Sequence, residues 1–158
     1  MAVESIDIAL KTKMPEFELP DAFGKMYRSR DLLGKAGLLV AFTCNHCPYA
    51  VAVWPRLVRL ATFAKKSGIN VVAINPNIHP EYPDDDPKVM KEKVKDWKVE
   101  FPYLVDESQK TAAAVAELLG HAGTPLLFYT TSRLISCFGV AAVIADFRDP
   151  PERHRETR

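Results

Sequence analysis

Residues 37–66 read GLLVAFTCNHCPYAVAVWPRLVRLATFAKK, and the fold is decided here. Gly37 to Phe42 is a continuous apolar run, the pattern of a strand buried on both faces. Beyond Cys44 and Cys47, Ala50, Val53, Trp54, Leu57, Val58, Ala61 and Ala64 recur at helical spacing, with Arg56, Arg59, Lys65 and Lys66 off that face. Pro55 lies within this helix and cannot donate to the carbonyl of Val51, so a kink is expected. A buried strand followed by an amphipathic helix puts the C-x-x-C at the carboxyl end of a sheet, where open α/β folds place their ligands.

Working outward, "FELPDAFGKMYRSRDLL" reads as two short extended pieces around a turn at Gly24, then one helical turn. "INVVAIN" is a second buried strand and leads into the Pro-rich loop "PNIHPEYPDDDP". Asp86 reads as an N-cap with Pro87 at the first helical position, and Met90, Val94 and Trp97 form the apolar stripe that follows. "FPYLV" is a short strand, and Ala112, Val115, Ala116 and Leu119 mark a helix stopped by Gly120. "LLFYT" and "RLISCFGV" read as an antiparallel hairpin around Thr131 and Ser132. Strands alternating with helices predict an α/β sandwich with a mostly parallel sheet, helices on both faces and antiparallel strands at one edge. One domain over 1–158 is expected, with a core of about 14–140 and a tail of about 147–158.

The formal net charge of +1 gives no electrostatic case for nucleic acid or an anionic membrane. The first residues carry acids among apolar positions and no signal-peptide core. No apolar run reaches the roughly 18 residues of a transmembrane helix. A cytoplasmic location is therefore expected. There, three cysteines do not form a disulfide framework, and a close pair binds metal or cycles redox state.

A strand-to-helix junction offers unpaired N–H groups and the positive end of the helix dipole, which favour a thiolate. An ordinary thiol, with a pKa of about 8.5, is only ~3% thiolate at neutral pH. Closing so small a ring gains only about 2 kcal/mol of chain entropy, which suits a reversible bond better than a staple. His46, if cationic, would stabilise the thiolate and make the disulfide more oxidising. A metal site needs more ligands than the sequence groups together, because Cys137, His79 and His121 stand apart, so no metal is expected. Cys137 alternates within an apolar strand and reads as an ordinary buried cysteine.

These residues resemble the thioredoxin-like redoxins with alkyl hydroperoxide reductase and thiol-specific antioxidant domains, above all small members with a "CNHCPY" active site. The likeness runs through "MPEFELPDAFGK", "TCNHCPY", "VVAINPN", "YPDDDP", "FPYLVDESQ" and "GTP". It implies a thioredoxin-like fold with Cys44 as nucleophile and Cys47 as resolving thiol. Pro125 would match the family's cis-proline and turn the backbone of Thr124 toward an extended substrate. The Pro and Thr or Ser that peroxiredoxins place seven and three residues before the attacking cysteine are Gly37 and Ala41 here. The strand before the motif also lacks thioredoxin's buried acid, leaving water, His46 or Glu107 to move protons. The segment after "GTP" departs from the relatives' pattern, and the C-terminal helix that the resemblance implies is not expected within "PERHRETR".

The function expected is thiol–disulfide oxidoreduction on protein or small-molecule disulfides, with no cofactor beyond the two thiols. Thioredoxin reductase or a low-molecular-weight thiol would serve as reductant. A degenerate thioredoxin-like binding module and a thiol peroxidase are the alternatives. The loop from Asn75 to Asp86 should border the site, with Ile78 and Tyr82 offering apolar contact to substrate. Cys44 should be the more exposed and more acidic thiol. Uncovered apolar residues around Val140 to Ile144 would favour self-association.

Overall fold

A computed structural model describes residues 14–118 and 141–145. The chain opens with the expected hairpin, β1 (Glu18–Pro20) and β2 (Met26–Arg28), paired antiparallel, followed by a 3-10 turn at Ser29–Leu32. Gly24 takes a positive φ of 87° at the hairpin turn, where a side chain would be strained. The sheet has the order β5-β4-β3-β6, with β3 (Gly37–Phe42), β4 (Ile69–Asn75), β5 (Tyr103–Val105) and β6 (Ala141–Ala145). β3 runs parallel to β4, and β4 to β5; β6 lies antiparallel to β3. The helices are α1 (Pro48–Lys66), α2 (Pro87–Asp96) and α3 (Lys110–Leu118).

All six residues of β3 are buried, which explains the unbroken apolar run: it needs apolar side chains on both faces. Leu38, Val40 and Phe42 point into one core with Phe17, Leu19, Leu32, Ala112 and Val115. Leu39 and Ala41 point into the other, with Trp54 and Leu57 of α1 and Met90 of α2. The N-terminal hairpin, the 3-10 turn and α3 therefore cover one face, while α1 and α2 cover the opposite face. Trp54 anchors the second core, its ring 4.9 Å from Trp97 and edge-on to Tyr103 at 4.8 Å between centroids. Asp86 caps α2 by accepting the Lys88 N–H at 2.7 Å, with Pro87 behind it as expected.

Among the described residues, the antiparallel strand beside β3 is β6, Ala141–Ala145, a segment not read as a strand from the sequence. Its alanine-rich alternation is short and weak, and only the neighbouring β3 ladder marks it as a strand. The hairpin expected over "LLFYT" and "RLISCFGV", with Thr124, Pro125 and Cys137, lies outside the described residues.

Truncating Trp54, which is 1% exposed, removes the anchor of the second core. Trp54→Ala should cost about 3–5 kcal/mol of stability, read from urea unfolding. A loss below about 1 kcal/mol would show that this core does not depend on the indole.

Candidate active site

β3 ends at Phe42, and α1 begins only at Pro48. The five residues between carry both thiols. Cys44, two residues beyond a fully buried strand, is still under the surface at 2% exposure. Cys47 is half-buried and is itself the N-cap of α1. Both cysteines are free. The expected order of exposure is thus reversed. The helix starts one turn later than the reading assumed, so its N-terminal place belongs to Cys47 rather than Cys44.

Burial pushes the Cys44 thiol up to about 11. Backbone N–H groups of Cys47 and His46 face its sulfur and favour the thiolate, but the negative charge of Asp85 opposes them. Cys44 is therefore a protonated thiol at neutral pH, not the acidic sulfur expected from the motif alone.

Asp85 is the residue that sequence reasoning missed. It lies in a 3-10 turn, Pro83–Asp85, within the loop that follows β4, and is fully buried. Its Oδ1 accepts the Asn45 backbone N–H at 2.5 Å and the Asn75 side-chain amide at 2.9 Å. Its Oδ2 pairs with Nδ1 of His46. Asn45 in turn donates to the carbonyl of Asp84 at 3.0 Å and accepts from the buried Tyr103 hydroxyl at 3.0 Å. Burial and the nearby Asp85 charge push that hydroxyl well above its ordinary range, so it stays a donor.

The loop from Asn75 to Asp86 borders the cysteines, as expected. Tyr82 stacks on the His46 ring at 4.2 Å and keeps 40% of its surface exposed, which leaves it free to touch a substrate. Ile78 instead packs against the core around Trp54. Glu107 is exposed, two residues beyond β5. His46 is neither free nor isolated: it is held by Asp85 on one nitrogen and by Tyr82 on its face. The acid missing from β3 is thus supplied by a loop 40 residues further along the chain. The only sequence signal was the middle acid of the "PDDDP" run, of which Asp86 alone had a structural task.

The fold also brings together donor atoms that stand apart in the sequence. Cys44 Sγ, a ring nitrogen of His46 and a carboxylate oxygen of Asp85 lie within 4.8 Å of one another. A cleft of about 640 Å³ sits elsewhere, lined by Val58, Ala61, Ile69 and Phe101 at the amino end of β4, and has no thiol in its wall.

A C-x-x-C between a buried central strand and the helix that follows it is the frame of a thioredoxin-like redoxin. Residues 10–126 match the AhpC/TSA family profile. The chain belongs to the AhpC/TSA family. The redoxin resembles an uncharacterized conserved protein from Geobacillus kaustophilus at 39% identity and TM-score 0.65, covering 71% of this chain and 60% of that one. A hypothetical protein from Sinorhizobium meliloti is 36% identical with TM-score 0.65, over 70% of this chain and 61% of its own. The chain thus spans about three fifths of the length of these two relatives. A thiol:disulfide interchange protein from Chlorobium tepidum shares the fold at 19% identity and TM-score 0.60, covering 75% of each chain. A search of curated proteins finds no match.

The raised Cys44 value predicts how this AhpC/TSA protein alkylates. In Cys47→Ser protein, iodoacetamide should react slowly at neutral pH and faster as pH rises toward about 11. Asp85→Asn removes the opposing charge and should lower that midpoint. A Cys44 midpoint in Cys47→Ser at or below the ordinary thiol value of about 8.5 would contradict this account.

Proposed function

We propose that the protein is a thiol–disulfide oxidoreductase in which Cys44 and Cys47 cycle between dithiol and disulfide. The observation that carries this reading is the paired free thiols at the carboxyl end of the sheet, one half-buried and one buried against a carboxylate. Exposure supports an order of events opposite to the one the family resemblance implies. Cys47, at the helix N-cap, loses its proton and attacks a substrate disulfide. One substrate sulfur leaves as a thiolate and a mixed disulfide remains.

Cys44 then passes its proton to the His46–Asp85 pair and attacks Cys47 Sγ. The second substrate thiolate departs, the substrate has gained two electrons, and the protein holds an internal disulfide. A reductase or a low-molecular-weight thiol in a reducing compartment such as the cytoplasm would restore the dithiol. Tyr82, stacked over His46, supplies exposed apolar surface beside the reacting sulfurs. The reaction is reversible, and the potential of the partner sets its direction.

Trapping tests the order. Cys44→Ser should accumulate mixed disulfides because nothing resolves them, and Cys47→Ser should accumulate almost none. Trapping that is stronger in Cys47→Ser would return the attacking role to Cys44. The class itself is tested with insulin and dithiothreitol, where the wild-type protein should turn over. Background precipitation would indicate a binding module, and thiol-dependent peroxide consumption in its place would indicate a peroxidase.

A further inference from the structure

We propose that Cys44, His46 and Asp85 form a reversible site for a divalent thiophilic metal ion of the zinc class, filled only while Cys44 is reduced. The three donors are a thiol sulfur, an imidazole nitrogen and a carboxylate oxygen, all within 4.8 Å of one another. This mixed sulfur, nitrogen and oxygen set suits zinc, whereas calcium and magnesium take oxygen ligands. Donors on a tetrahedral zinc ion stand about 3.3–3.8 Å apart, given bond lengths of roughly 2.0–2.3 Å. Rotation of the half-buried His46 ring must therefore draw the donors together by about 1 Å on binding.

Charge balance points the same way. A Cys44 thiolate beside the Asp85 carboxylate would put two negative charges in a buried place. Among the described residues, Asp85 makes an ion pair only with His46. A divalent cation with a neutral imidazole brings the cluster to zero net charge, the condition a buried ionic group requires. Binding would displace the proton on the Cys44 sulfur, since only the thiolate is a metal ligand.

The supporting shell is already in place. Asp85 Oδ1 accepts from Asn45 and Asn75, and Tyr103 holds the Asn45 side chain, so the carboxylate is oriented before any ion arrives. Three protein ligands leave a fourth position for water or for Cys47 Sγ. When a substrate disulfide takes up two electrons and Cys44 becomes disulfide-bonded, the thiolate donor is gone and the ion is released. The site does not rest on the proposed turnover, because metal binding is read directly.

The experiment titrates the whole protein, reduced with a phosphine and kept without oxygen, with Co²⁺ and then Zn²⁺. A thiolate-to-cobalt charge-transfer absorption should saturate at one ion per chain, bleach with Zn²⁺, and be absent from the disulfide form. His46→Ala and Asp85→Asn should each weaken Co²⁺ binding by about 10-fold or more. Because Asp85→Asn disturbs buried bonds, His46→Ala, a change at a half-buried ring, decides if the other variant fails to fold. Absence of the absorption in the wild-type protein, or unchanged affinity in His46→Ala, would overturn the site.

Discussion

The site depends on one buried carboxylate. Placing Asp85 at 0% exposure costs several kcal/mol unless its oxygens are fully bonded, and a partner lost from such a group is expensive to lose. Three groups meet that demand: the Asn45 backbone N–H, the Asn75 amide and the His46 ring. They belong to two stretches, the cysteine loop for Asn45 and His46 and the end of β4 for Asn75. The carboxylate therefore fixes the cysteine loop relative to the sheet. It also explains why the chain after β4 leaves the sheet, turns through Pro83–Asp85 and starts α2 only at Pro87. The three consecutive acids divide the work: Asp84 offers a carbonyl, Asp85 its carboxylate inward, and Asp86 its carboxylate to the helix cap.

That loop can reach the cysteines because of how β3 is used. Its alternating side chains feed two cores, so helices must pack on one face and the hairpin with α3 on the other. Parallel pairing with β4 brings the carboxyl ends of both strands to the same edge. Trp54 seats α1 against α2 and Tyr103 at this end, and the same Tyr103 hydroxyl reaches Asn45. Packing and polar network thus share a residue, which couples the second core to the geometry of the thiols.

The features legible in the sequence were the local ones. The apolar run of β3, the helical period of α1, the Gly24 turn and the Asp86–Pro87 cap each depend on residues within one or two turns of one another. Asp85 was not legible, because its partners stand 10 to 40 positions away and a run of acids reads as solvated surface. β6 was missed for a related reason: five small and branched residues form a strand only where the β3 edge offers hydrogen bonds. The exposure of the thiols was misread through a boundary. The motif was assigned to the start of the helix, whereas Pro48 sets that start after the second cysteine.

The balance at Cys44 bears on which kind of pair this is. Two backbone N–H groups face the sulfur, an arrangement that elsewhere stabilises a thiolate and makes the disulfide strongly oxidising. Here burial and the Asp85 charge outweigh them, because the carboxylate is held too firmly to move away. His46 does not restore the balance, since any positive charge on its ring is matched by the carboxylate that binds it. A dithiol whose buried member resists ionisation lacks the thiolate stabilisation behind a strongly oxidising disulfide. On the mechanism proposed above, this suits Cys44 to react second, as a thiol that ionises only when its proton is taken up.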